Sequence, residues 1–104
     1  MKVTDHIKQA KGKTLFSFEI VPPKKGKSIQ ELYDNIDPLM EFNPPFIDVT
    51  TSREEFIYVK KQEFLERKIT RMRPGTLGIC AALKHKYNVD LVPHVLCGGF
   101  TKEE

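Results

Sequence analysis

Residues 15–21 have the sequence LFSFEIV, and Pro22-Pro23 follow directly. Every second residue from Phe16 to Ile20 is large and apolar, which is the two-residue period of a β-strand with one buried face. Proline cannot donate a backbone hydrogen bond, so the strand is predicted to end where the two prolines begin. The same alternation places Glu19 on the face opposite the apolar side chains.

A helix is predicted after this strand. Ser28-x-x-Glu31 matches the capping-box pattern that marks helix starts. Apolar residues then recur at helical spacing: Ile29, Leu32, Tyr33, Ile36, Leu39 and Met40. Pro38 removes a backbone donor and restricts Asp37, so we expect a kink or a break there.

Two further strands and one further helix are predicted downstream. The β-branched segment Phe46–Thr51 indicates a second strand, and residues 76–87 indicate a helix that stops at Asn88. Leu91–Cys97 indicates a third strand, closed by Gly98-Gly99. The charge-rich residues 52–75 are predicted to form an exposed helical excursion.

The order strand, helix, strand, helix, strand favours parallel strands in an α/β layer or barrel, and hairpins are not expected. Thr101–Glu104 resembles the start of another helix. Three parallel strands would leave two open edges and a small core. We therefore expect the chain to be a piece of something larger, or to pair with another chain.

Composition narrows the class of protein. At 104 residues and 39% hydrophobic content, one folded domain at most is expected. No stretch approaches the roughly 20 apolar residues of a membrane span, and no signal segment is evident, so a soluble cytoplasmic protein is predicted. Cys80 and Cys97 form no C-x-x-C pair and are predicted to be free thiols.

The net charge of +3 is small against 17 basic and 14 acidic side chains, so a nucleic-acid partner is not predicted. The densest basic run, Arg67–Arg73, could contact phosphates, but a solvated surface is the simpler interpretation. Three histidines, His6, His85 and His94, lack metal-ligand spacing, and no phosphate-binding loop or nucleophile motif is present, so no metal site is predicted.

Three polar residues lie toward the carboxyl ends of the predicted strands: Glu19, Thr50 and His94. In α/β sheets and barrels that edge is where side chains from separate strands converge on a ligand. A carboxylate in a dry, apolar strand would have a raised pKa suited to proton donation. The alternatives are a Glu19 that faces solvent, a structural His94 and a Thr50 that merely favours the strand.

Three ordered motifs resemble the methylenetetrahydrofolate reductase family. Residues 16–23, FSFEIVPP, are similar to the family's F-S-F-E-F-F-P-P opening. Residues 45–50, PFIDVT, are similar to its P-x-F-V-x-V-T segment, and residues 92–97, VPHVLC, to its P-H-L-T-C segment. The resemblance covers the chain from about Leu15 to its end.

This resemblance implies that residues 1–104 form the amino-terminal portion of a (β/α)₈ TIM barrel, with the first three strands and their helices. It implies FAD as cofactor, NADH or NADPH as reductant, and reduction of 5,10-methylenetetrahydrofolate to 5-methyltetrahydrofolate. Glu19 would assist protonation as the folate ring opens, while Thr50 and His94 would contact the flavin. The resemblance also explains Pro93, which would otherwise argue against a central strand.

The sequence departs from the family at several positions. Ile20-Val21 replace an aromatic pair, Leu96 stands where threonine is common, and Thr51-Ser52-Arg53 replace an aromatic-and-glycine continuation. The family's A-L-R-G-D segment and later strands are missing, so the isolated chain is predicted to be inactive. A non-catalytic module that associates through open strand edges is the alternative, and the oligomeric state of a full-length form, including a homo-oligomer, stays open.

Overall fold

The structure of the chain is a computed structural model that describes residues 1–51, 55–70 and 74–97. Its elements, in chain order, are α1 (Val3–Gln9), β1 (Phe18–Ile20), α2 (Ile29–Ile36), a 3₁₀ helix (Asp37–Phe42), β2 (Phe46–Val49), β3 (Glu55–Lys61), β4 (Phe64–Thr70), α3 (Thr76–Tyr87) and β5 (Asp90–Pro93). The predicted Gly98-Gly99 stop and the helix start at Thr101–Glu104 lie outside the described residues.

Strands β1, β2 and β5 form a parallel sheet in the order β1-β2-β5. The predicted parallel α/β arrangement is therefore confirmed for this part of the chain, while closure into a barrel stays a prediction. The strands are shorter than predicted. The third strand ends at Pro93, so His94 lies one residue after it rather than within it. In the described sheet Pro93 ends an outer strand, a position that tolerates the missing N–H.

One face of this sheet forms the core. Ile47 and Val49 are completely buried, and Ile20 lies beside them on β1. These side chains pack in a single cluster with residues of α2 and α3 and with Val89, which lies between α3 and β5. The helix residues of the cluster are Leu32, Ile36, Ile79, Cys80 and Leu83. Both crossover helices therefore cover the same face of the sheet. The other face is open toward the carboxyl ends of the strands, while His6 of α1 lies beside Phe46 and Asp90 at its amino-terminal end.

Helix α2 begins and ends as the sequence predicts. The Ser28 hydroxyl accepts a hydrogen bond from the Gln30 N–H at 3.1 Å, which satisfies one of the free donors of the first turn. The α-helix ends at Ile36, and Pro38 lies in the first turn of the 3₁₀ helix that follows. The expected break at Pro38 is thus confirmed.

Helix α3 is fixed at its carboxyl end. Asn88 adopts a left-handed conformation with a φ of 53° and ends the helix, as predicted. The Tyr87 hydroxyl donates to Asp37 Oδ1 at 2.5 Å, which ties α3 to the start of the 3₁₀ helix. Burial of the Tyr87 phenol, followed by its hydrogen bond to Asp37, raises the pKa of Tyr87.

For residues 55–70, the predictions of a helical excursion and of no hairpin are both wrong, while residues 52–54 and 71–73 of that segment lie outside the described residues. Residues 55–70 form an antiparallel hairpin of β3 and β4, a sheet of its own. The physical reason is the run Phe56–Val59, whose aromatic and β-branched side chains favour extended backbone. The chain reverses at Gln62-Glu63. This dipeptide lacks the usual turn residues, and Gln62 has a positive φ of 35°.

Helix α1, which was not predicted, is held by a contact across the chain. His6 Nε2 lies 2.7 Å from Asp90 Oδ2, and Lys84 Nζ donates to Asp90 Oδ1 at 3.1 Å. Together with the nearby Met1 amino group, these contacts hold the pKa of the Asp90 carboxyl well below its ordinary value. Since Asp90 begins β5, α1 is attached to the amino-terminal edge of the sheet.

Both cysteines are free, as predicted; Cys80 is buried and Cys97 is exposed. Burial raises the pKa of the Cys80 thiol, so the thiol stays protonated at neutral pH and Cys80 acts as a packing residue.

No helix within the described ranges combines the length and the apolar character that crossing a membrane requires.

The packing of α3 predicts unequal effects of two leucine substitutions on the same helix. Leu83 is 0% exposed, whereas Leu77 is 70% exposed. Leu83→Ala should lower the free energy of unfolding by about 2–5 kcal/mol, because it removes buried methyl groups and leaves a cavity. Leu77→Ala, the matched control, should change it by less than about 0.5 kcal/mol in urea denaturation. Equal losses would contradict the assigned core face.

The Asp90 contacts predict how stability depends on pH. Because the pKa of Asp90 is lowered by folding, its contribution is fully present above the unfolded value near 4 and is lost as pH falls. Asp90→Asn should therefore lower the free energy of unfolding at pH 7 by about 1 kcal/mol, with a smaller further loss on acidification. Glu41→Gln, at an exposed position of the 3₁₀ helix away from these contacts, should change the free energy of unfolding at pH 7 by less than about 0.5 kcal/mol. Parallel pH curves for wild type and Asp90→Asn would contradict the assignment.

Candidate active site

Glu19, Asp48 and His94 meet on the open face of the parallel sheet. His94 Nδ1 lies 3.7 Å from Glu19 Oε1, and His94 Nε2 lies 3.9 Å from Asp48 Oδ1. These separations are too long for direct hydrogen bonds, and they become ion pairs only when the imidazole is protonated. The imidazole is thus flanked by two carboxylates, one from β2, which neighbours β5, and one from β1 beyond it.

The strand register explains this grouping. Glu19 pairs with Asp48 and Asp48 pairs with Val92, so the three residues form one row across the sheet. His94 lies two residues beyond Val92, and its N–H donates to the Val49 carbonyl at 2.9 Å. The alternation of side chains that buries Ile47 and Val49 therefore directs the row containing Asp48 to the opposite face.

A second group of contacts joins the chain segments that follow β2 and β5. The Thr50 N–H donates to the Ile20 carbonyl at 3.0 Å, which extends the β1–β2 pairing by one step. The Thr76 hydroxyl, at the start of α3, donates to the Thr50 carbonyl at 3.0 Å. The Thr51 hydroxyl donates to the His94 carbonyl and lies 2.7 Å from the Thr76 hydroxyl.

The two hydroxyl groups of Thr51 and Thr76 have only two protons for these three contacts. Each threonine hydroxyl carries one proton, so two of the three contacts can be hydrogen bonds at one time. The group nevertheless links three segments at the carboxyl edge: the end of β2, the start of α3 and the residue after β5. Thr51 and Thr76 are therefore positioning residues for the backbone at Thr50 and His94.

The side chains of the first group are accessible. Glu19 is 59% exposed and His94 is 40% exposed. The dry setting expected for Glu19 from its apolar neighbours is wrong for the described structure, because those neighbours point to the other face. A carboxylate and an imidazole this close can hold and exchange a proton with a ligand lying on the open face.

The comparisons with known proteins agree with this architecture. A family model described as methylenetetrahydrofolate reductase matches residues 2–104. The chain belongs to the methylenetetrahydrofolate reductase family. The match extends the family resemblance to α1, which the sequence motifs did not cover.

Curated relatives match a shorter part of the chain. Methylenetetrahydrofolate reductase (NADH) 1 of Arabidopsis thaliana is 42% identical over 52 residues, which are 48% of this chain and 9% of the plant protein. Methylenetetrahydrofolate reductase 2 of Saccharomyces cerevisiae is 41% identical over 54 residues, with the same two shares. This chain therefore matches only a small part of the length of either relative. No solved structure matches it at a significant level.

In this member of the methylenetetrahydrofolate reductase family, the structure brings two of the three candidates together. Glu19 and His94 lie in the same group, while Thr50 lies at the adjacent edge with a half-buried side chain. The roles of all three stay predictions. Sequence reasoning missed Asp48, although it stands two residues before Thr50 and so shares its face of the strand.

Thr51 and Thr76 were also missed as positioning residues. Their contact joins residues 25 apart and depends on how α3 returns to the sheet. Thr76 stands directly after Pro74-Gly75, where a helix start was predicted, but its Oγ1 donates to a carbonyl in another segment. No local pattern signals such a contact.

Among the described residues, no cluster of three His, Cys, Asp or Glu side chains has a metal-binding arrangement.

The hydrogen bond that the Thr76 hydroxyl donates should contribute measurably to the free energy of unfolding. Thr76→Val keeps the shape of the side chain but removes the donor to the Thr50 carbonyl, and should lower the free energy of unfolding by about 1–2 kcal/mol. Thr76→Ser keeps the hydroxyl and is the matched control, with a smaller loss. Chemical denaturation of both variants decides the point. A larger loss in Thr76→Ser than in Thr76→Val would show that the methyl group, and not the hydroxyl, matters.

Proposed function

We propose that the parallel strands of this chain line one side of the active site of a flavin-dependent methylenetetrahydrofolate reductase. In its full-length form the protein would reduce 5,10-methylenetetrahydrofolate to 5-methyltetrahydrofolate, in the cytoplasm. The observation that carries the proposal is the meeting of Glu19 and His94 on the open face, in a chain of this family. The chain by itself would be inactive, because it supplies one side of the site.

The fold supports a barrel as the complete architecture. The strands lie in sequence order, β1-β2-β5, and both crossover helices pack on the same face. A doubly wound sheet would instead carry helices on both faces. In a barrel the open face that bears Glu19, Asp48 and His94 would turn inward, and the carboxyl ends of the strands would form the rim of the site.

The residues present fit part of a flavin site. The ring nitrogens of His94 and the hydroxyl of Thr50 supply hydrogen-bonding groups at the carboxyl edge, and the open face beside them is free of the packed helices. We assign these two residues to hold the cofactor. When bound, FAD would supply the hydride chemistry.

Glu19 would donate the proton that is needed when 5,10-methylenetetrahydrofolate is reduced. Its Oε1 atom lies beside His94 and is accessible, so it can receive a proton and present it to a nitrogen atom of the substrate. Asp48, on the far side of the imidazole, would keep His94 positioned between the two strands. Glu19 is exposed in this chain. In the complete barrel, the remaining strands would close around the open face of the sheet and shield Glu19 from solvent.

The reductant would be a nicotinamide nucleotide. The plant relatives from Arabidopsis thaliana, rice and maize are named as NADH enzymes. We propose NADH before NADPH on that ground, and titration of the oxidised full-length enzyme with each nucleotide tests the choice.

The role of Glu19 is tested by separating the two half-reactions of the full-length enzyme. Glu19→Gln keeps the size and polarity of the side chain but removes the proton it can donate. Reduction of the flavin by the nicotinamide should stay within about twofold of wild type. Transfer to the folate should fall by about 10²–10⁴-fold, the range for loss of a general acid.

Glu31→Gln, on the exposed surface of α2, is the matched control and should leave both half-reactions unchanged. Stopped-flow absorbance of the flavin follows each step separately. Equal loss in both steps for Glu19→Gln, or no loss, would contradict the proton-handling role. Absence of flavin binding by the full-length protein would contradict the proposed function as a whole.

A further inference from the structure

Within the described ranges, the hairpin of β3 and β4 has no third strand beside it. It lies between β2 and α3 in the chain and forms a sheet separate from β1-β2-β5. An isolated two-stranded hairpin is at best marginally stable in water, and further strands or a packed face are needed. This one has strands of seven residues each, so its backbone offers long edges for pairing.

Large apolar side chains of the hairpin are exposed. Tyr58 is 67% exposed and Leu65 is 66% exposed, and Ile57 and Phe64 are exposed as well. Exposed apolar side chains grouped on a short hairpin are typical of a surface that another chain covers. They lie on both faces, so packing of one face against a helix would not cover them all.

The two edges of the hairpin differ in chemistry. The outer edge of β3 carries the uncharged run Phe56–Val59, with charged residues only at its ends. The middle of β4 is Glu66-Arg67-Lys68. Charged residues in the middle of an edge strand discourage pairing, whereas an apolar edge invites it. The β3 edge is therefore the one suited to a partner strand.

The sequence of β3 is complementary to itself in the antiparallel direction. Glu55 and Lys61 stand at its two ends, and Tyr58 stands at its centre. An antiparallel pair centred on Tyr58 places Glu55 of one copy opposite Lys61 of the other, twice by symmetry. The same pairing places Ile57 opposite Val59, Phe56 opposite Lys60, and Tyr58 opposite its own counterpart.

We propose that β3 pairs with β3 of a second copy of this chain, in an antiparallel register centred on Tyr58. The two hairpins then form one four-stranded antiparallel sheet around a two-fold axis, a self-complementary interface. Main-chain hydrogen bonds supply the attraction, as in other cases of strand addition. The cross-strand ion pairs and apolar pairs set the register.

This register is the one that pairs all seven residues of β3. Centring the pair on Ile57 leaves Lys60 and Lys61 without opposite residues. Centring it on Val59 leaves Glu55 and Phe56 without opposite residues in β3 and places Ile57 opposite Lys61. The Tyr58-centred register is thus favoured by length and by charge.

A disulfide test reads the register directly. Tyr58→Cys in the full chain, with Cys97→Ser as background, places two thiols on the two-fold axis. Opposite residues in an antiparallel pair have Cα atoms about 4.5–5.5 Å apart, within the range that a disulfide spans. Under mild oxidation we expect a covalent dimer as the main product on non-reducing gels.

Leu65→Cys in the same background is the matched control. It lies on the same face of the hairpin as Tyr58 and is equally exposed, but it stands on β4, away from the proposed axis. Random collision would crosslink both variants equally, and that result would overturn the proposal. So would the absence of a dimer in Tyr58→Cys.

A charge exchange tests the same register without cysteines. Lys61→Glu places two glutamates opposite each other at both ends of the interface and should weaken dimerisation by about tenfold or more. Glu55→Lys combined with Lys61→Glu restores opposite charges and should restore the dimer, measured by sedimentation. A monomeric wild type, or a double variant no better than Lys61→Glu, would overturn the proposal. Neither result bears on the proposed reductase function, which uses the other sheet.

Discussion

The complete burial of Ile47 and Val49 against α2 and α3 is the constraint on which the rest of the structure depends. Side chains alternate along a strand, so fixing these two on the helix face sends Asp48 to the open face. A slip of one residue would put a carboxylate in the core and an isoleucine in the site. Apolar packing on one side of β2 thus determines which charged groups meet on the other side.

Much of the parallel sheet could be predicted from local patterns. Four features each depend on only a few neighbouring residues: the alternation around Glu19, the start of α2 at Ser28, the break at Pro38 and the end of α3 at Asn88. The grouping of Glu19 with His94 also follows from the sequence, because the carboxyl ends of parallel strands share one edge. Exact strand ends did not follow, since they depend on which residues find partners across the sheet.

The parts that sequence reasoning missed depend on contacts far apart in the chain or on weak turn signals. Helix α1 has no buried residue and is held through His6 and Asp90, which are 84 positions apart. The hairpin carries a clear β-forming run, but its charged residues and its Gln62-Glu63 turn resemble an exposed helix. Asp48 stands at an unspecified position of the P-x-F-V-x-V-T segment, so the motif does not mark it.

The register of β2 and β5 is the central claim, and hydrogen-bond couplings in NMR spectra of the isotopically labelled full chain measure it directly. The account predicts a coupling from the His94 amide nitrogen to the Val49 carbonyl carbon, and one from Thr50 to Ile20. A coupling from His94 to the carbonyl of Asp48 or Thr50 instead would show a one-residue slip. That result would separate Glu19, Asp48 and His94 and contradict the proposed site.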